Sequence, residues 1–176
     1  MRKVLFILGQ LSDTDTAWLA GHGRPAKIAA GTELIREGTM IDTIYIILDG
    51  TMSVLLKSGI KLGEVGSGDI LGELSLVDSG LTTASVRVDR NSTVLAVSKA
   101  VLQQKLDEDA HFAAHFYRAI ALSLAHRMRN TTRHLGYESD EPPAPTETDE
   151  LDPSVLDTIH LAGARFERIL SQFAGE

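Results

Sequence analysis

GDILGELSLVDSGLTTASVRV, residues 68–88, places a turn, a Gly-Glu pair and a run of small alcohol side chains between two strand-like segments. Gly72 lets the backbone turn tightly and leaves room for a ligand against the main chain. The amides that open a short helix at Glu73, Leu74 and Ser75 point together and make an anion seat. Glu73 adds a carboxylate, while Thr83 and Ser85 add hydroxyls able to donate to phosphate oxygens or to a base edge. The structural alternative for Glu73 is a carboxylate at a helix start satisfied by its local amides.

Outward from this stretch, residues 26–99 break into short segments with strand periodicity: AKIAA, TELIREG, TIYIILDG, TMSVLLKSG, KLGEVGSGD, ASVRVD and STVLAVS, most bounded by Gly, Asp or Ser. Such density predicts a small sandwich or barrel. Asp49-Gly50, between two of these segments, reads as a hairpin signal because Gly accepts the positive φ that such a turn requires. Before the strands, residues 4–23 read as helical: Val4, Leu5, Leu8 and Leu11 share a face, and Ser12 or Asp13 supplies a cap.

After Ala100 the apolar period returns to that of a helix. Ala113, Tyr117, Ile120, Leu124, Met128 and Leu135 form a stripe that Phe112, Phe116 and Ala119 widen, predicting a helix over about residues 109–135. A helix of roughly 25 residues reaches about 40 Å, more than so small a domain covers. A second copy of the same helix is the simplest cover, so a homodimer is expected. Residues 138–150, ESDEPPAPTETDE, carry no basic residue and read as an extended linker. Beyond them, Pro153 suits a first helical turn, and Val155, Ile159, Leu161, Ala162, Phe166, Ile169, Leu170 and Phe173 share an apolar face. That terminal helix should dock, either on its own dimer or on a protein partner. The division is 1–135, a domain with its long helix; 136–152, a linker; and 153–176, a terminal amphipathic helix.

Strand-like segments framed by helices, with Gly66 and Gly68 before LGELSLVDSGLTTASV and supporting glycines at Gly38 and Gly50, resemble the cyclic nucleotide-binding domain family over about residues 5–135. The resemblance implies a mainly β fold with flanking helices (α+β), a jelly-roll or double-stranded β-helix of about eight strands followed by a long dimerisation helix. It implies that residues 71–86 are a phosphate-binding cassette, with Glu73 accepting from a ribose 2′-hydroxyl. Ligand contacts then fall to Gly72, Glu73, Leu74, Ser75, Thr82, Thr83 and Ser85, and the ligand class is a cyclic nucleotide such as cyclic AMP or cyclic GMP. One position departs from the pattern. The arginine expected to fork onto the cyclic phosphate is Thr82, and losing a charged hydrogen-bonding partner costs about 1.5–3 kcal/mol. Weak or atypical binding of an anionic ligand is therefore expected, with a ligand-free dimeric scaffold as the alternative. Arg87 lies close in sequence, but strand alternation aims it with Thr83 and Ser85.

Composition narrows the function classes. A net charge of −7 gives no electrostatic footprint for nucleic acid. The roughly 40 residues after the long helix are acidic and proline-rich at their start, and no recognition helix fits there. Without cysteine there is neither a disulfide nor a thiolate nucleophile. The apolar part of MRKVLFILGQLSD is too short for a signal or spanning helix, so a cytoplasmic protein without membrane insertion is expected. His111 and His115 have i, i+4 metal-ligand spacing but no third ligand, and helix-surface histidines are the plainer reading. Ser75 has no base beside it in any recognisable motif, so no enzyme is expected. Arg127, Arg129 and Arg133 read as cations at a helix C-terminus, poised to meet the acidic linker or an acidic partner.

Overall fold

The computed structural model describes residues 5–78, 80–136, 163–165 and 169. Two helices open the chain, α1 (Leu5–Gln10) and α2 (Asp13–His22), where one helical stretch was expected. Ser12 divides them: its hydroxyl accepts from the Asp15 amide at 3.1 Å, and the Asp15 carboxylate accepts from the Ser12 amide at 2.7 Å. This reciprocal capping box ends one helix's path and begins the next. Burial of Asp15 works against ionisation, but the Ser12 donors and His115 hold its carboxyl below the usual range. Ser12→Ala is expected to lower unfolding free energy by about 1 kcal/mol, read as a shift in the urea midpoint at unchanged slope.

Eight strands follow: β1 (Arg24–Ile28), β2 (Glu33–Ile35), β3 (Thr43–Asp49), β4 (Thr51–Leu55), β5 (Lys61–Gly66), β6 (Ile70–Leu71), β7 (Ser85–Val88) and β8 (Ser92–Ser98). They form two antiparallel sheets of four, ordered β1-β8-β3-β6 and β2-β7-β4-β5, the jelly-roll expected from the sequence. Asp49-Gly50 is not a hairpin, however. Asp49 pairs with Thr93 in one sheet and Thr51 with Gly66 in the other, so the chain turns a corner between sheets. Gly50 makes that corner at φ 128, with its backbone tight against Ser92.

Strand alternation explains two apolar clusters. Ile44, Ile46 and Leu48 of β3 and Leu95 and Val97 of β8 face the helices, while Ile47 and Val94 face the opposite sheet with Met52, Val65, Val86 and Val88. Both faces of β3 are thus covered, which is why TIYIILD reads as a continuous apolar run.

Helix α4 (Lys99–Glu108) and helix α5 (Ala110–Gly136) are separated at Asp109. The Asp109 carboxylate accepts from the Phe112 amide at 3.0 Å, the His111 amide at 3.1 Å and Lys105 Nζ at 2.8 Å. The Lys105 hydrogen bond and the Phe112 amide hold its carboxyl down to about 2. Its support for the α4–α5 junction is therefore present above the usual carboxylate value and is lost only as pH falls through about 2.

The expected stripe of α5 splits between two surroundings. Phe112, Phe116, Ala119 and Ile120 are buried inside this chain, in the cluster that also holds Leu8, Leu11 and Leu19, and so need no second copy. Trp18 meets Phe112 edge-on with ring centroids 5.2 Å apart. Tyr117 (39% exposed) and Met128 (73% exposed) lie outward on the same helix. Side chains from 130 to 136, Leu135 among them, lie outside the described residues, as do the linker from 137 and most of the terminal helix. Residues 163–165 and 169 are helical, and Ile169 joins the cluster of Leu8 and Phe116. No described helix is long and apolar enough to cross a membrane.

Candidate ligand cleft

Strand β6 carries the chain into the cassette. Ile70 and Leu71 pair with Ile46 and Tyr45, so the turn at Gly72 is built against the edge of the helix-facing sheet. Gly72 has φ 85, and a Cβ there would lie 2.5 Å from Ile41 Cδ1 and 3.2 Å from the Thr43 carbonyl. The close approach that requires glycine is therefore to β3 and the residues just before it. Gly72 also lines the cleft.

A short helix, α3 (Leu74–Val77), follows. Ser75 is buried, and both its amide (3.1 Å) and its hydroxyl (2.7 Å) donate to the Gly72 carbonyl, so its amide is not a free member of an anion seat. Leu74 is 41% exposed and lines the cleft. Thr82 also lines it, but its hydroxyl contacts the Arg36 and Thr39 carbonyls and the Thr39 amide, while its own amide and carbonyl pair with Thr39 and Gly38. Thr82 therefore fastens the cassette to the loop after β2. Ser85 accepts from the Glu37 amide at 2.9 Å and lies outside the lining. Of the two cassette hydroxyls proposed to reach a ligand, Thr83 faces the cleft. Arg87 is exposed while Val86 and Val88 are buried, so strand alternation carries it away from the cleft.

Glu73 is 2% exposed, and its Oε1 accepts from Arg127 Nη1 of α5 at 2.6 Å. Arg127 Nη2 also donates to the Ile70 carbonyl, so one guanidinium ties α5 to both β6 and the cassette. Burial pushes the Glu73 carboxyl above the usual carboxylate range, with the Arg127 charge pulling the other way. The reading of Arg127 as helix-end charge is thereby corrected: it is the cation of the cleft. A signal was present in the sequence. Phe116, Ile120, Ser123 and Arg127 follow one another at spacings of three and four along the buried face of α5, and a charge on such a face needs a buried partner.

The cleft has a cavity volume of about 100 Å³ and opens to solvent at its mouth, so a nucleotide-sized body would extend beyond it. Ile35, Ile41, Val54, Leu71 and Val86 form its apolar wall, and Glu73, Arg127 and Thr83 bring polar groups to it. Such a cleft suits a flat apolar body with a hydroxylated or anionic edge. Among the described residues no group of three or more His, Asp or Glu could hold a metal ion. His115 Nδ1 instead lies 2.8 Å from Asp15 Oδ2, joining α5 to α2.

Residues 25–109 match the family described as "Cyclic nucleotide-binding domain". The cAMP-activated global transcriptional regulator CRP of Pasteurella multocida is 24% identical over 128 residues, 70% of this chain and 59% of the regulator. The human potassium/sodium hyperpolarization-activated cyclic nucleotide-gated channel 4 is 37% identical over 78 residues, 44% of this chain and 6% of the channel. The chain thus spans 59% of the first relative's length and a small fraction of the second. A cyclic nucleotide-binding domain from Methylobacillus flagellatus superposes with a TM-score of 0.69 at 20% identity, covering 81% of this chain and 85% of that one.

Proposed function

Since residues 25–109 match the family described as "Cyclic nucleotide-binding domain", we propose that the chain is a regulatory module whose cleft takes a nucleotide-type ligand in an atypical way. The Arg127–Glu73 contact carries the reading, because it joins the cassette to α5 in a single ion pair. In the proposed mechanism Glu73 accepts from a ligand hydroxyl, Leu74 and Thr83 close over its other edge, and Arg127 supplies the positive charge that Thr82 cannot. A hydroxyl that engages Glu73 competes with Arg127 Nη1, so the ligand favours a state in which α5 sits differently. That differential affinity is what transmits occupancy.

The outward face of α5, with Tyr117 and Met128, is the surface we assign to a second copy of the chain, so that a shift of α5 is read as a change in the dimer. Regulation by binding, with no chemical step, is the activity proposed. A ligand-free scaffold built on the same fold is favoured by one observation: Ser75, Thr82 and Ser85 are all engaged within the chain.

Calorimetry with cyclic AMP, cyclic GMP and cyclic dinucleotides separates the two readings. Binding that weakens about tenfold or more in Glu73→Ala is the expected result. Silence up to millimolar ligand favours the scaffold.

A further inference from the structure

Two anchors fix the terminal segment to the front of the chain. Arg165 Nε donates to Asp13 Oδ1 at 2.6 Å and its Nη1 to the Leu8 carbonyl at 3.2 Å, with the Arg165 side chain only 12% exposed. Ile169 is 1% exposed in the cluster that contains Leu8, Leu11, Phe112, Phe116 and Ile120. The described turns of α1, residues 5–10, are held by tertiary packing. Their cover comes from α5 on one side and from Arg165 and Ile169 at the other end of the chain. Helix α5 is common to both halves of the molecule: its first turns supply Phe112, Phe116 and Ile120 to the cluster, and Arg127 holds the cassette.

We propose that Arg165 and Ile169 anchor a releasable strap, docked in cis on the surface made by α1, α2 and α5, and that withdrawal of Arg127 from Glu73 loosens it. A helix is stiff over the roughly 16 Å between residues 116 and 127, so a change of seating at Arg127 reaches the side chains that pack with Ile169. Packed interiors respond to such shifts by switching between arrangements rather than deforming smoothly. Release frees Arg165 and Ile169, which lie one turn apart, and uncovers Asp13 beside Leu8 and Leu11. The strap thus gives the cleft a readout at the opposite end of the chain, and only its physiological trigger rests on the ligand reading above.

Hydrogen exchange on the full chain tests this without any ligand. In Ile169→Asp the amides of residues 5–10 are expected to exchange about tenfold faster while β3 and β8 keep their protection. If that variant loses protection throughout, Arg165→Gln, which removes only the polar anchor, decides in its place. Unchanged protection of residues 5–10 in the deciding variant overturns the strap. Glu73→Leu removes the acceptor of Arg127 Nη1 without leaving a buried unpaired carboxylate. It is expected to raise exchange in residues 163–169 as well as in residues 120–129. Faster exchange confined to 120–129, or no change at either place, overturns the coupling, and protection of 163–169 that falls on dilution overturns docking in cis. Failure of calorimetry to find a ligand would remove the trigger and leave these exchange results standing.

Discussion

Arg127→Met lowers the free energy of unfolding by about 3 kcal/mol near neutral pH, the lower end of the range for breaking a buried pair, because Arg127 keeps some contact with water. The cost is that of stranding Glu73, a carboxylate 3% exposed at its side chain with its cation 2.6 Å away. Burial already raises the Glu73 carboxyl above its usual value of 4.5, and removing the guanidinium raises it further. A carboxyl whose folded-state value is raised binds a proton more readily in the native chain than in the unfolded one. Its penalty is therefore full above the folded value and fades as pH falls through that value towards 4.5. The variant's deficit should accordingly shrink as pH falls from neutral towards 4.5, where urea titrations compare it with the wild type. Glu73→Leu with Arg127→Met should recover most of the loss, since an apolar pair of similar volume carries no desolvation cost. A single Arg127→Met variant as stable as the wild type at neutral pH would show that the pair is not formed in solution.

Gly50→Ala is the second large effect, with an expected loss on the order of 3 kcal/mol or more from combined strain and overlap. At φ 128 a side chain is strained, and the added Cβ would lie 1.9 Å from Ser92 Oγ and 2.9 Å from Ser92 Cα. The hydroxyl could rotate away, but the Cα belongs to the first residue of β8 and moves only with the strand. Gly59→Ala makes the control. Gly59 also has positive φ, at 88, yet nothing lies within 4 Å of a Cβ there, so backbone strain alone, about 1 kcal/mol, is expected. Equal urea midpoints for the two variants would show that the corner at Gly50 tolerates a side chain and that β8 is not packed against it.

These two residues mark the limits of reading the chain from its letters. Gly50 was legible as a turn, since Gly beside Asp between two apolar runs announces positive φ. Which strands it joined was not, because β3 pairs with β8 and β4 with β7, partners 30 to 55 residues away that no local pattern names. The cassette was legible in order and in kind, from Gly72 and Glu73 to the missing arginine at Thr82. The destinations of its hydroxyls were not: Thr82 and Ser85 turned to the loop at residues 36–39, whose nearness to the cassette is set by the sandwich.

Local chemistry determined the element types, the glycine turns, the Ser12 cap and the family of the fold, because short-range sterics and apolar periodicity act over a few residues and are written in consecutive positions. Tertiary structure alone decided that the cation of the cleft comes from α5, 54 residues beyond its carboxylate, and that Ile169 returns to pack with Leu8. Such partners are chosen by burial. A charge or an apolar face taken out of water must be matched by whatever the fold brings alongside, and that neighbour is fixed by topology rather than by spacing along the chain.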